Sequence, residues 1–224
     1  MTHSRNFLNL STAVLLVAFS LSGCASLSNT QEGAIIGGGA GAVIGGVIGN
    51  QTGSTSRGAI IGAAVGGAAG AIIGRQMDEQ AEALEEELPN ATVERIGEGI
   101  RVTFDSGILF DFDSYSLRQT ARDNLSELAG SLIRYPDSEV LIVGHTDATG
   151  AEDYNQRLSE NRAQAASGCL VQQGVDPSRI QSTGMGEMEP VASNETEAGQ
   201  QENRRVEVAI FASEEYRKRL TGGS

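Results

Sequence analysis

Cysteine, histidine and basic charge are scarce in this chain, and each scarcity closes off a class of function. The 224 residues hold two cysteines, Cys24 and Cys169, and two histidines, His3 and His145. No Cys/His cluster of ligand spacing accompanies His145, so the sequence encodes no recognisable metal site. Cys169 has no histidine marked out beside it as a base. It falls on the apolar stripe of its helix and reads as a small core residue. Lys and Arg number 16 against 29 Asp and Glu, a formal net charge of −13. Nucleic-acid binders carry a basic patch or stripe, and none is present, so no nucleic-acid partner is expected. A long apolar run at the N terminus is missing too. Ala13 to Phe19 is apolar but too short to span a bilayer.

That short run has the proportions of a signal peptide. Arg5 supplies a positive start, and Leu21-Ser22-Gly23-Cys24 closes the segment. Those four residues resemble a bacterial lipobox. The resemblance implies that residues 1–23 are removed and that Cys24 becomes the lipid-modified first residue, followed by a short anchored linker over 24–32. Ala25 in the second mature position is compatible with sorting to the outer membrane. A lipidated Cys24 leaves Cys169 without a partner, so the mature chain has no intramolecular disulfide. Removal of Arg5 with the signal takes the formal charge to about −14.

Residues 33–74 are a different material, with 15 of the chain's 29 glycines and a single charge, Arg57. Gly33-Ala34-Ile35-Ile36-Gly37 recurs as Gly58-Ala59-Ile60-Ile61-Gly62. Glycines at 33, 37, 41, 45 and 49, then at 58, 62, 66, 70 and 74, form a ridge along one helix face. Such ridges let helices pack backbone to backbone. Each interior glycine costs a helix about 1 kcal/mol relative to alanine in water, so a helix here depends on membrane or on tight packing against a partner. Flexible linkers favour Gly with Ser, whereas these glycines alternate with Ile and Val. The segment is therefore expected to be a glycine-zipper helical hairpin turning at 49–54, with a surface for a second copy. Burial in the bilayer and packing against protein both remain open.

Asp78 to Glu87 carries six acidic residues and no base, which reads as a solvated helical linker over 75–91 ended by Pro89. The remainder, 92–213, alternates strand and helix signals. Thr92 to Ile96 and Ile100 to Phe104 flank Gly97-Glu98-Gly99 as a hairpin. Asp113 and Ser114 read as N-cap residues for a helix whose face is Leu117, Ala121, Leu125, Leu128 and Leu132. Val140 to Val143 is a buried strand. A second helix runs from Asp153 to Leu170, Ile180 opens a third strand, and Val206, Val208 and Ile210 alternate as a last one. Between these strands, 184–201 reads as a loop with a short helix, and 214–224 as a charged, frayed tail. The expected fold is an α+β, βαβαβ-type α/β sandwich.

Within that domain the candidate site is the stretch from Gly144 to Arg162. His145-Thr146-Asp147 follows a strand, the place where open α/β sheets tend to hold ligands. Arg162 lies on or beside the core stripe of the next helix, four residues after Leu158. A buried arginine needs an anion. Spacing alone leaves two readings open: a ligand site, or an internal Asp147–Arg162 salt bridge tying strand to helix.

Four motifs then occur in a fixed order: Phe110-Asp111-Phe112-Asp113-Ser114, Gly144-His145-Thr146-Asp147, Tyr154-Asn155-Gln156-Arg157-Leu158-Ser159-Glu160-Asn161-Arg162-Ala163, and Asn203-Arg204-Arg205-Val206. Together they resemble the OmpA-like peptidoglycan-binding domain. The resemblance implies that Asp147 and Arg162 bind the diaminopimelate side chain of peptidoglycan, with Asp113, Thr146, Asn155 and Arg204 in support. It also implies a lipid-anchored outer-membrane protein with its C-terminal domain in the periplasm, needing no cofactor. Two other classes compete. One is a glycine-zipper membrane oligomer or pore that uses the domain only as an anchor. The other is a cell-wall hydrolase, which needs a paired acid and nucleophile or a metal. The nearby carboxylates Asp111 and Asp113 look like turn and cap residues, so no enzyme is expected.

Overall fold

The computed structural model describes residues 53–111 and 113–222. The expected signal peptide, Cys24, the linker to residue 32 and the first glycine arm lie outside the described residues. Helix α1 (Thr55–Ala63) opens on Ser54, whose hydroxyl accepts from the Arg57 amide. Helix α2 (Gly67–Glu87) follows after a break. Strands β1 (Thr92–Ile96) and β2 (Gly99–Asp105) come next, then a one-turn helix α3 (Ser106–Leu109) and helix α4 (Gln119–Arg134). Strand β3 (Ser138–Gly144), helix α5 (Glu152–Gln172), a 3-10 turn (Pro177–Arg179) and strand β4 (Ile180–Gly184) continue the chain. Helix α6 (Glu197–Asn203), strand β5 (Arg205–Ala212) and helix α7 (Glu214–Thr221) complete it.

The five strands lie in the order β1-β2-β5-β3-β4. Only β3 and β4 are parallel; the other neighbours run antiparallel. The main core fills the face under α2, α4 and α5, with Met77, Leu84, Leu125, Leu132, Ala166 and Val208 among its buried members. This is the expected α+β class. The carboxyl ends of β2, β3 and β4 and the start of β5 meet at one end of the sheet.

Four local expectations change. The second glycine arm is not one helix over 58–74. It breaks at 64–66, where Ala64 is extended and Gly66 and Gly67 have φ of 69° and 62°. The Glu98 carboxylate, from the β1–β2 turn, accepts from the Val65 and Gly66 amides at 2.8 and 2.7 Å. That anion satisfies donors left open where α2 begins. Second, the acidic stretch is helical but not a free spacer. Helix α2 runs across 74/75 without interruption and buries Ile73, Met77, Ala81 and Leu84, with Leu88 beyond its end, in the main core. Its acids occupy the remaining face. Third, β5 is buried at every position instead of on alternate ones, because α1 covers the second face of the sheet. There Ala59, Ile60 and Ala63 pack on Ile96, Ala209 and Phe211. Fourth, the C-terminal tail is a capped helix. The Ser213 hydroxyl accepts from the Tyr216 amide, and Tyr216 and Leu220 pack against the core.

Candidate functional site

Close approach between strand ends and helix α5 creates the site. A Cβ on Gly144 would lie 2.2 Å from the Ser159 carbonyl oxygen, and one on Gly184 would lie 2.4 Å from the Glu160 amide nitrogen. Glycine at both strand ends lets α5 lie against the sheet. The Ser159 hydroxyl also accepts from the Gly186 amide at 2.9 Å, which ties the loop after β4 to the same helix. Arg162, one turn further along α5, is thereby held beneath the strand ends.

Arg162 is 5% exposed. Its Nε donates to the Ser114 carbonyl oxygen at 3.0 Å, and its guanidinium lies over the Phe110 ring, 5.2 Å from the centroid. No partner for its two terminal amino groups occurs among the described residues. Burial lowers its pKa, and the neighbouring Tyr154, Asp113 and Asp147 oppose that. An arginine remains charged throughout.

Asp147 is 6% exposed, and its ion pair is with Arg204, at 2.5 Å. The internal Asp147–Arg162 bridge left open by the spacing is therefore replaced by an Asp147–Arg204 pair. The partner comes from the residue before β5, which runs antiparallel to β3 and so begins where β3 ends. Asp147 Oδ1 accepts from the Thr149 amide at 2.9 Å, closing a turn. Burial raises the Asp147 carboxyl, but the hydrogen bonds from Arg204 and Thr149 outweigh it and hold the group below the usual carboxylate range. Arg204 also donates to Glu197 at 3.1 Å and to Gln201 at 2.5 Å.

The remaining expected residues divide by role. The Thr146 amide donates to the Gly186 carbonyl oxygen at 2.8 Å, while its buried hydroxyl has no partner among the described residues. Asn155 is committed to the loops, donating to the Asp147 and Thr149 carbonyls and to Glu187 Oε2. Asp113 is not an N-cap. Helix α4 starts six residues later, after Arg118, and Asp113 has a φ of 55°. Its carboxylate accepts from the Tyr154 hydroxyl.

His145 reads from the sequence as a structural or hydrogen-bonding residue rather than a metal ligand. It is buried with neither ring nitrogen hydrogen-bonded among the described residues. Glu189 and Glu207 lie 4.0 Å from Nδ1 and Nε2. Burial, with Arg205 and Arg101 nearby, pushes its pKa down to about 3 against the pull of Glu207, so the ring is neutral and those contacts are not ion pairs. Among the described residues no group of three His, Cys, Asp or Glu side chains is placed to hold a metal ion. Cys169 is buried, and burial raises its thiol pKa.

Comparison with known proteins matches two family models, the OmpA family over residues 109–204 and the YMGG-like Gly-zipper over residues 4–78. The chain is 40% identical over 119 residues to "Probable lipoprotein YiaD" of Escherichia coli (strain K12), covering 53% of this chain and 54% of that protein. It is 36% identical over 115 residues to the outer-membrane lipoprotein YfiB of Pseudomonas aeruginosa, covering 51% of this chain and 68% of that protein. Among solved structures, the cell wall anchor of the T6SS from Pseudomonas aeruginosa aligns with a TM-score of 0.52 at 30% identity, over 63% of this chain and 97% of that one. The chain thus spans about half the length of YiaD and about two thirds of YfiB.

Proposed function

This chain belongs to the OmpA family, and from that premise we propose that it is a non-covalent peptidoglycan tether, lipid-anchored at Cys24 in the outer membrane, with its wall-binding domain in the periplasm. The observation that carries the reading is Arg162. An arginine 5% exposed, with terminal donors that no described residue takes up, calls for an anion from outside the fold. Diaminopimelate presents an ammonium and a carboxylate on one carbon. Arg162 can fork two donors onto the carboxylate, while Asp147 accepts from the ammonium on oxygens that Arg204 and Thr149 already orient. The buried Thr146 hydroxyl, unpartnered among the described residues, is left to take a remaining polar group of the ligand, and Asn155 and Arg204 position the loop and the carboxylate. The relatives lend support: one is a cell wall anchor and another an outer-membrane lipoprotein.

The activity is binding, not hydrolysis. Asp111 pairs with Arg118 at 3.3 Å and Asp113 accepts from Tyr154, which is unlike the opposed acid and nucleophile of a glycosidase.

Retention of the full chain on purified peptidoglycan tests the reading. Arg162→Lys keeps the charge but loses the fork, and it is expected to reduce retention nearly as much as Arg162→Ala. Asp147→Asn should do likewise, with Arg204 still held by Glu197 and Gln201. Each loss should be about tenfold or more, since a hydrogen bond to a charged group is worth about 1.5–3 kcal/mol. Undiminished retention in folded variants would put the site elsewhere. Unfolding of both variants would make these residues structural only.

A further inference from the structure

The loop after β4, residues 186–189, faces two ways. On one side it holds the wall site. The Gly186 carbonyl oxygen accepts from the Thr146 amide at 2.8 Å, and Glu187 Oε2 accepts from the Asn155 side chain at 2.7 Å. On the other side it is tied to α1. The Glu189 carboxylate accepts from the Thr55 hydroxyl at 2.6 Å and from the Thr55 amide at 3.0 and 3.1 Å. A second route joins the same elements. The Ser56 hydroxyl donates to Glu207, which accepts from Arg205 Nε at 2.7 Å, and Arg205 Nη2 donates to the Glu189 carbonyl oxygen at 3.1 Å. Arg205 follows Arg204, the residue that holds the Asp147 carboxylate. Wall binding as described gives the contacts with α1 no role.

Burial makes the two sides depend on each other. The Glu189 side chain is 9% exposed, and a carboxylate that deep needs donors. Thr55 supplies them from the first turn of α1, where amides are open and the helix dipole favours an anion. When α1 lifts, Glu189 loses these bonds and turns toward water. Gly186 and Glu187, on the same short loop, then lose their register against Thr146 and Asn155.

We propose that docking of α1 and occupancy of the wall site are coupled through loop 186–189, with Glu189 as the positioning residue between them. Filling the site steadies the loop and tightens α1, and freeing α1 slackens the site. Such a coupling is reciprocal by thermodynamic necessity. Helix α1 is the first described element after the segment that carries Cys24. The coupling therefore joins the end of the chain proposed to be anchored to the end that grips the wall. The inference rests on the wall-binding reading above.

Hydrogen exchange and titration with a soluble, diaminopimelate-containing wall peptide test this on the full chain in detergent. Saturating peptide is expected to slow exchange over 55–63 by about fivefold or more, the lower end of ordinary coupling between sites. Helix α7 follows the opposite end of β5 and serves as the internal reference, with its exchange unchanged. Thr55→Val and Ile60→Ala free α1 through different contacts, one polar at the loop and one apolar on the sheet. Each should weaken peptide affinity by a similar factor, whereas Thr55→Ser restores the hydroxyl and should bind like the parent. Variants whose α1 exchanges faster at unchanged peptide affinity overturn the proposal. So does bound peptide that alters exchange over 55–63 no more than over 214–221. Should a variant unfold, exchange in the parent decides alone. A parent that fails to bind the peptide, with Arg162→Lys retained on peptidoglycan like the parent, sinks the wall-binding reading and this one with it.

Discussion

His145 lies beside Thr146 and two residues from Asp147, yet its ring sits between Glu189 and Glu207 on the side of the sheet that α1 covers. Its pKa of about 3 has a direct consequence for stability. The unfolded chain binds a proton at His145 below about pH 6.5, while the folded chain refuses it until about pH 3. The unfolded state therefore holds more protons in that window, and folding stability falls as pH falls. Asp147 and Glu207 have lowered pKa values. They lose their contribution only below the ordinary carboxylate range, so the upper part of the window belongs to His145. Calorimetric melting of the parent should drop between pH 7 and 5 with a slope approaching about 1.4 kcal/mol per pH unit. The slope should flatten in His145→Gln. An equal slope in both proteins would mean that His145 is not the titrating group. At this scale motif spacing singled out Asp147 and Arg162 as candidates, and the fold brings both to the same end of the sheet. The spacing did not reveal that Arg204, 57 residues away, takes the Asp147 carboxylate. That pairing depends on β5 lying between β2 and β3, which no local pattern encodes.

Helix α1 shows the same limit among the elements. Its helical nature was legible in the Gly58–Gly62 repeat, but its burial was not. Ile60 in a glycine ridge reads equally as membrane-facing or protein-facing, and the alternation of Val206, Val208 and Ile210 on β5 marks only one buried face. In the fold the two ambiguities resolve together. Arg205 Nε donates to Glu207 Oε1 at 2.7 Å, the Ser56 hydroxyl donates to Glu207, and Thr55 donates to Glu189. These buried charges are covered because they are paired, which is the condition for burying them at all. Beside them Ile60 fits where Gly99 leaves room. A Cβ on Gly99 would come 2.6 Å from Ile60 Cγ2 and 2.7 Å from the Ile210 carbonyl oxygen. Gly99→Ala must therefore push α1 off the sheet or shift β5, an overpacking cost of about 1–3 kcal/mol. Hydrogen exchange should then speed up over 55–63 ahead of the rest of the domain. Unchanged protection there would mean that α1 is not held by this contact. The alternation of strand and helix from 92 onward was far easier to read, since each strand there has its own turn signals and each helix an apolar face.

For the whole molecule, the docking of α1 and α2 weighs against the pore alternative. The second glycine repeat is spent on the folded domain, with Ile60 on one face of the sheet and Ile73 in the main core. Among the described residues no helix is long and apolar enough to cross a membrane. With attachment to the envelope proposed to come from a lipid at Cys24, firmness of attachment becomes a matter of number. One site holding a single diaminopimelate group through a few charged hydrogen bonds, after association costs, binds at about the micromolar-to-millimolar level. The net charge of −13 opposes rather than assists approach to a wall that also bears carboxylates. Many copies anchored in one membrane and facing one polymer escape this weakness, because each engaged copy raises the effective concentration of the next. Cys24→Ser is accordingly expected to leave the single-site affinity for a soluble wall peptide unchanged. Retention on intact sacculi during washing should fall by about a hundredfold relative to the parent reconstituted in lipid vesicles. Both quantities can be read from one preparation, by titration and by sedimentation. Equal retention of the two proteins would show that one domain grips the wall unaided, and a weakened single-site affinity in Cys24→Ser would show that the N terminus contributes to the site itself.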